Sequence, residues 1–196
     1  MKKKNFTPIF LISLFILSSC TQNNKSILNE YMNAHNSHNI QKPLAYYSDD
    51  ITFQLVGTWT KNGKEEIAEL EEWDSAVNSK LQFYVQKESG DTLFCYGTET
   101  NDWFTAIGIN EIKYDLIIFI FDNQVITKII AKLDPEINER IGRAMGSIIE
   151  YTTQTNNDIL SELIPKGEFI YSQESAKKWL KLLGEWNKER TDKVAK

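Results

Sequence analysis

The sequence is short of cysteine, histidine and positive charge, and each shortage excludes a class of function. Its 196 residues include two cysteines and two histidines, and 22 Lys and Arg stand against 27 Asp and Glu, giving a net charge of -5. Phosphate contacts need clustered basic residues, so this balance argues against binding to nucleic acid. No Gly-rich phosphate loop, nucleophile elbow or metalloprotease motif occurs. With 41% hydrophobic residues the chain can still form one globular domain.

The one long hydrophobic run lies near the N terminus, where Lys2–Lys4 precede an apolar segment from Ile9 to Leu17. This segment is shorter than the roughly 20 residues that cross a bilayer, and its pattern is typical of a secretory signal peptide. Its end, Leu17-Ser18-Ser19-Cys20, resembles the bacterial lipobox, in which the cysteine is lipid-modified after cleavage. We therefore predict a signal peptide at residues 1–19 and a lipidated Cys20 that begins a polar tether over residues 20–25.

The predicted anchor fixes an expected location. A lipidated Cys20 makes the chain a membrane-anchored lipoprotein of the bacterial cell envelope, facing the periplasm or the cell surface. The alternative is an ordinary cleaved signal peptide with a cysteine there by chance. If Cys20 is acylated, Cys95 is the one remaining thiol and no intramolecular disulfide can form. Cys95 lies among apolar residues without a neighbouring His or Lys, so we interpret it as a small buried hydrophobe.

Hydrophobic periodicity divides the rest of the chain into a helical start, a strand-rich middle and a helical end. Helices are predicted from Ser26, around Pro43–Tyr47, from Gly63, from Asp134-Pro135-Glu136 and from Ser172. Strands are predicted at Ile51–Val56, Leu81–Lys87, Thr92–Thr100, Lys113–Phe121 and Gln124–Leu133. Consecutive strands with tight turns predict an antiparallel meander, so the fold class is α+β. A helical C-terminal extension over residues 135–196 is expected to pack on the sheet domain.

Four short segments connect this order of elements to a known family. They are Tyr46–Phe53, Gly63–Ile67, Gly97–Thr100 and Phe119–Asn123. Together they resemble the nuclear transport factor 2-like (NTF2-like) superfamily, in particular its SnoaL-like polyketide-cyclase group. The resemblance covers residues 26–134 and implies a cone-shaped, curved antiparallel sheet packed on N-terminal helices.

The cone implies a cavity lined by side chains of the meander and the third helix. The candidate pocket residues are Trp59, Trp73, Tyr96, Trp103, Tyr114 and Phe119. An aromatic lining suits a flat or apolar ligand, and simple packing of the core is the alternative for each ring.

Glu99 is the candidate catalytic residue. Alternation along Leu93, Cys95 and Gly97 puts it on an apolar face, where a desolvated carboxylate has a raised pKa and can act as a general base. The alternative is a solvated position at the rim of the cone, which the polar residues after Glu99 favour. Catalytic members of the SnoaL-like group often carry an acid two residues before the phenylalanine that matches Phe119. In this sequence that position is Ile117.

The remaining ionisable groups indicate no metal and no cofactor. His35 and His38 share one helix but have no obvious third ligand, so we interpret them as surface or helix-end residues. The acids from Glu65 to Glu72 are interpreted as a solvated helix face.

The sequence is compatible with two functions. The first is a lipid-anchored protein whose cone binds a small apolar ligand or a protein partner without catalysis. The second is an isomerase, dehydratase or cyclase that uses Glu99 as its base. In a third arrangement the cone is sealed by side chains and the outer sheet face forms a homodimer.

Overall fold

The computed structural model describes residues 23–194. The predicted signal peptide, Cys20 and the first residues of the tether lie outside the described residues. Within residues 23–194 no helix is both long enough and apolar enough to cross a membrane.

Helices precede the sheet and helices follow it, as the periodicity predicts. In chain order the elements are α1 (Asn24–Asn36), α2 (Gln41–Leu44), β1 (Tyr47–Leu55), β2 (Trp59–Asn62), α3 (Gly63–Ala76), β3 (Lys80–Ser89), β4 (Thr92–Thr100), α4 (Asp102–Ala106), β5 (Ile112–Asp122), β6 (Val125–Leu133), α5 (Pro135–Gln154), α6 (Ile159–Leu163), a 3-10 turn (Pro165–Gly167) and α7 (Gln173–Val194).

The six strands form one curved sheet in the order β2-β1-β6-β5-β4-β3. The pairing of β1 with β6 is parallel, and every other pairing is antiparallel. The register shifts between Val85 and Lys87 and again between Cys95 and Gly97. Such irregularities bend and twist strands, which is how a sheet closes into a cone. The predicted α+β class with a curved sheet is confirmed.

Two apolar cores lie on either side of the cone's interior. In the first, Ile27 and Leu28 of α1 pack against Ile51 and Phe119 of the sheet. In the second, Trp179 and Leu183 of α7 pack with Trp73 of α3, Trp103 of α4 and Ile137 of α5. Burying a side chain of this size contributes about 1.5–3 kcal/mol. Because residues of α3 and α4 belong to the second core, the C-terminal helices are fixed to the sheet domain.

The starts of the long helices follow from their capping residues. Asn23 caps α1, because its Oδ1 accepts a hydrogen bond from the Ser26 amide at 2.8 Å. The predicted cap at Ser26 is therefore wrong, and the predicted tether over residues 20–25 overlaps the first turn of this helix. Asp134 and Pro135 begin α5, and Ser172 caps α7 by accepting from the Ser175 amide at 3.1 Å, as the sequence indicates.

Short elements are where the sequence-based assignment differs from the structure. The predicted helix around Pro43–Tyr47 ends at Leu44, and Tyr47 instead begins β1, where it is paired with Ile126 of β6. The elements β2, α4 and α6 have four or five residues each, which is too short for a period to be read.

Candidate functional site

A cavity of about 700 Å³ lies between the concave face of the sheet, α3 and the C-terminal extension. Residues 167–171, here called the roof segment, cover it together with one face of α5. The exposed lining residues Thr58, Glu66, Asn138 and Glu168 mark its mouth, between the β1–β2 turn and the roof segment. A cavity of this volume is large enough to enclose a drug-sized molecule.

The structure brings most of the predicted pocket residues to this cavity. The residues that line it are Trp59, Trp73, Trp103, Tyr114 and Phe119. That they contact a ligand stays a prediction.

Tyr96 does not line the cavity, so its place in the predicted pocket is wrong. Its side chain is 50% exposed and its ring stacks on that of Tyr84, with the two centroids 5.3 Å apart. The reason is the two-residue period of a strand. Cys95 and Gly97 point inward and are buried, which turns Tyr96 to the outer face.

Glu99 is buried rather than solvated at the rim, so the alternative of a rim position is wrong. Only 8% of it is exposed. Its Oε1 accepts hydrogen bonds from Ser79 Oγ at 3.0 Å and Asn101 Nδ2 at 2.7 Å, and its Oε2 accepts from the Tyr114 hydroxyl at 2.6 Å. The polar residue Asn101 does not lead into solvent, because it is itself buried and caps α4.

A second buried carboxylate, Glu71, is paired with His35. The two side chains are 5% and 4% exposed, and His35 Nδ1 lies 2.9 Å from Glu71 Oε2. His35 lies in the last turn of α1, in keeping with a helix-end residue, but it is buried, so the alternative of a surface position is wrong. Glu71 is also buried and departs from the solvated face predicted for the acids from Glu65 to Glu72. Glu71 Oε1 accepts from the Tyr47 hydroxyl at 2.9 Å. Because that hydroxyl has one proton, it must accept from Tyr31, whose hydroxyl is also 2.9 Å away.

The two carboxylates both line the cavity and belong to one hydrogen-bonded chain. His35 Nε2 lies 3.3 Å from Ser79 Oγ, and Ser79 in turn donates to Glu99. Burial disfavours the charged form of His35, but the hydrogen bond and the charge of Glu71 outweigh it and raise its pKa to about 9. A protonated His35 donates from both ring nitrogens, which satisfies Glu71 and Ser79 together. Burial, followed by the charge of Glu99, raises the pKa of Tyr114.

Asp74 is the carboxyl group without such support. It lines the cavity and is half-buried, and among the side chains of residues 23–194 none lies within hydrogen-bonding distance of its carboxylate. Burial and then the charge of Glu99 raise its pKa well above the ordinary value of 3.8, against an opposing effect of His35. An ionisable group with a perturbed pKa inside a cavity is a candidate for acid–base chemistry.

The spacing of Glu71 and Asp74 along α3 is a sequence signal for the burial of the two acids. Ile67, Leu70, Glu71 and Asp74 follow the spacing i, i+3, i+4 and i+7, so the two acids fall on the apolar face of α3. Charged residues are seldom placed on such a face unless they are paired or functional. The position of His35 beside them depends on contacts 36 residues apart and has no local signal.

The roof segment packs against the rest of the domain through aromatic side chains. The Trp59 indole Nε1 donates to the Tyr171 hydroxyl at 2.8 Å, and Phe169 stacks on Trp179 with centroids 5.2 Å apart. The chain reaches this position through Lys166 and Gly167, whose φ angles of 56° and 86° reverse its direction after α6. The C-terminal extension thus completes the cavity.

Two further predictions concern metal sites and the thiol. Among residues 23–194 no group of three or more His, Cys, Asp or Glu side chains is placed to hold a metal ion. Asp115, an acid near the start of β5, is exposed and is not among the residues that line the cavity. Cys95 is buried, and burial raises the pKa of its thiol to about 12, which disfavours the nucleophilic thiolate.

Comparison with known proteins supports the fold and leaves the activity open. No protein-family model matches the sequence, and no curated protein matches it. Solved structures do match. One is the epoxide hydrolase/cyclase-like enzyme SalBIII, described as acting in pyran ring formation in the polyether salinomycin. Its TM-score is 0.51 at 12% identity, over 58% of this chain and 92% of that one.

Two other solved structures give the same result. A candidate polyketide cyclase from Xanthomonas campestris pv. campestris matches with a TM-score of 0.50 and 12% identity, over 62% of this chain and 96% of its own. An NTF2-like protein of unknown function from Cytophaga hutchinsonii matches with a TM-score of 0.47 and 17% identity, over 60% and 96%. The SalBIII and Xanthomonas structures therefore share the curved-sheet α+β fold of this chain, and identities this low show the fold alone.

Proposed function

We propose that the cavity binds a small, mostly apolar molecule that carries an oxygen function, and that Asp74 exchanges a proton with that oxygen. The observation that carries this proposal is an unpaired carboxyl group with a raised pKa inside an aromatic cavity of about 700 Å³. The aromatic walls supply the apolar contact, and Asp74 supplies one polar group that fixes the orientation of the ligand.

Asp74 is better suited to this role than Glu99. The two carboxylate oxygens of Glu99 already accept three hydrogen bonds, from Ser79, Asn101 and Tyr114, which leaves them less free to bind a ligand. At Asp74, burial and the neighbouring charges favour the protonated form. A protonated carboxyl group can act as a general acid toward a carbonyl, hydroxyl or epoxide oxygen, and its conjugate base can take the proton back. The reaction class is therefore isomerisation, dehydration or epoxide opening without a cofactor.

The test begins with identification of the ligand. Native mass spectrometry of the purified full-length chain, in a non-ionic detergent, would detect any small molecule that it retains. Turnover is then measured with that molecule, or with a ketone, a β-hydroxy ketone and an epoxide of matching size. Asp74→Asn keeps the shape of the side chain and removes its acid. We expect it to retain binding and to lose at least about a hundredfold in kcat, in line with the usual effect of an acid–base group.

Asp115→Asn is the matched control, because it makes the same change on an exposed residue of β5. It should leave both binding and turnover unchanged. Full turnover in Asp74→Asn would contradict the assignment of Asp74.

Binding without chemistry is the second candidate. It is favoured by Ile117, which lines the cavity at the position where members of the SnoaL-like group often carry an acid. In that case the wild-type chain would retain a ligand and turn over none of the three compounds. Quenching of tryptophan fluorescence by the ligand, with Trp59 and Trp73 in the cavity wall, measures this binding directly.

We also propose that the chain is anchored to a membrane of the bacterial envelope by a lipid on Cys20. The support is the sequence alone: the basic start, the short apolar run and Leu17-Ser18-Ser19-Cys20. Cys20→Ala should abolish labelling by a clickable fatty acid and release the protein from the membrane fraction. Cys95→Ala, which removes the other cysteine, should change neither. Unaltered labelling in Cys20→Ala would exclude the anchor.

Self-association through the outer sheet face stays a prediction. Tyr84 and Tyr96 are exposed there, and the partly exposed Phe94 and Ile118 are paired in register beside them. Sedimentation velocity of the wild-type chain and of Tyr96→Glu tests it, since a charge in the middle of such an interface shifts a dimer to monomers.

A further inference from the structure

The three arginines of the chain all lie around one groove. The other 19 basic residues are Lys, and they are distributed over the whole sequence. Arg140 and Arg143 lie on the same face of α5, and Arg190 lies on α7 one turn after Trp186. The groove has a volume of about 270 Å³ and is lined by the three arginines, Ser147, Trp186 and the apolar residue Ile107.

Two of the three guanidinium groups carry uncompensated charge. Arg143 forms an ion pair with Glu139 one turn earlier on α5. Arg140 Nη2 donates to the carbonyl oxygen of Gly108 at 2.9 Å, a bond that fixes the side chain without neutralising it. The Arg190 guanidinium lies 4.4 Å above the Trp186 ring. Among the described side chains, no carboxylate lies within ion-pair distance of Arg140 or Arg190.

We propose that this groove binds a phosphate group. The planar guanidinium presents paired N–H donors that match two oxygens of a phosphate, which the ammonium of Lys does not. Two uncompensated positive charges balance the nearly doubly negative charge of a phosphomonoester near neutral pH. Ser147 adds a hydroxyl donor on the same face of α5 as the two arginines. The hydrogen bond from Arg140 to the Gly108 carbonyl oxygen and the contact of Arg190 with the Trp186 ring fix the two guanidinium groups before a ligand binds.

The site is independent of the proposed chemistry in the cone. Its side chains come mainly from α5 and α7, both of which belong to the extension. The phosphate group has two sources, a soluble phosphomonoester and the headgroup of an anionic phospholipid, a phosphodiester that offers two phosphate oxygens with one negative charge. The experiment must therefore separate them.

The test uses the full-length chain in a non-ionic detergent and inorganic phosphate as the probe, in calorimetric titrations at fixed ionic strength. We expect saturable binding that Arg190→Gln and Arg140→Gln each weaken by about tenfold or more, the loss of one charge-assisted hydrogen bond. Arg190→Lys keeps the positive charge and loses the paired N–H donors of the guanidinium group. It should weaken phosphate binding by a smaller factor than Arg190→Gln does. Lys177→Gln is the control, because it removes one exposed positive charge from the same helix. Circular dichroism melts of each variant verify that it is folded.

A second arm compares cosedimentation with vesicles of phosphatidylglycerol and of phosphatidylcholine. A preference for the anionic vesicles that the arginine variants lose, together with weak binding of free phosphate, would assign the headgroup as the source. Binding of free phosphate with no vesicle preference would assign a soluble phosphomonoester. If neither probe binds, or if Lys177→Gln weakens binding as much as Arg190→Gln, the proposed site is overturned.

Discussion

The buried pair of His35 and Glu71 makes the stability of the protein depend on pH in a defined direction. The pKa of His35 is raised from 6.5 to about 9 in the folded chain, so the folded state binds its proton more tightly than the unfolded state does. A raised histidine pKa contributes stability that is fully present below pH 6.5 and is lost as the pH rises through about 9. A difference of about 2.5 pKa units corresponds to about 3 kcal/mol, a large share of the stability of a small domain.

The assay has two parts. Because the chain has two histidines, proton NMR can follow both imidazoles, and His35 should titrate near pH 9. Urea unfolding between pH 6 and 10 should then show the free energy of unfolding falling across the window from 6.5 to 9. In His35→Gln this fall should become smaller by about 3 kcal/mol. Asp74 affects the same curves, so the difference between variants, rather than the wild-type curve, is the quantity to compare.

His38→Asn serves as the control, because His38 Nε2 donates to the carbonyl oxygen of Ser79 and lies outside the buried pair. Asparagine tolerates its positive φ of 55°. This variant should keep the wild-type pH dependence. The reasoning fails if His35→Gln and the wild-type chain lose the same free energy between pH 6.5 and 9, or if the imidazole of His35 titrates near 6.5.

Three further predictions follow from the site and the sheet. Asp74→Asn should raise the free energy of unfolding at pH 8, because it removes a carboxyl group whose charged form is disfavoured by burial; equal or lower stability in urea melts would contradict this. Gly97→Ala should cost roughly 2–3 kcal/mol, because its Cβ would stand 2.5 Å from the Gln82 carbonyl oxygen, whereas Gly142→Ala, in open space on α5, should be neutral or stabilising. Cys95 should react with an aromatic disulfide reagent at pH 8 only at the rate of unfolding, so that urea accelerates labelling; fast labelling of the folded chain would show an accessible thiol.

The long elements could be predicted from the sequence because each is specified by its own residues. The stripe of apolar residues on α5 and the alternation along β4 are local patterns, and the caps at Asp134 and Ser172 mark where helices begin. The order of these elements was enough to indicate the NTF2-like cone. Five of the six aromatic positions also reach the cavity, three of them from strands and two, Trp73 and Trp103, from α3 and α4.

The polar part of the site could not be predicted in the same way. Glu71 needs His35 and Tyr47 as partners, and these residues come from three separate elements. A carboxylate on a helix is ordinarily hydrated. Its burial can be predicted only when the side chains that hydrogen-bond to it are known. Glu99 illustrates the same limit, since a polar residue such as Asn101 follows it whether the chain leads into solvent or, as here, begins a capped helix. Whether an acid is buried therefore depends on the hydrogen-bond partners that the fold brings to it, rather than on the polarity of its neighbours in the sequence.

The C-terminal extension is what turns the cone into an enclosed site. Trp73 belongs to α3 and lines the cavity, and it also packs edge-on against Phe169 and Tyr171 of the roof segment, with centroids 5.0 and 5.6 Å away. Without these contacts the upper wall of the cavity would be open to water, and Asp74 would be hydrated. Hydration would return its pKa toward the ordinary value, because desolvation is the largest cause of the shift. The acid–base character of the site therefore depends on residues that lie outside the sheet domain, which is why the fold alone does not define the chemistry.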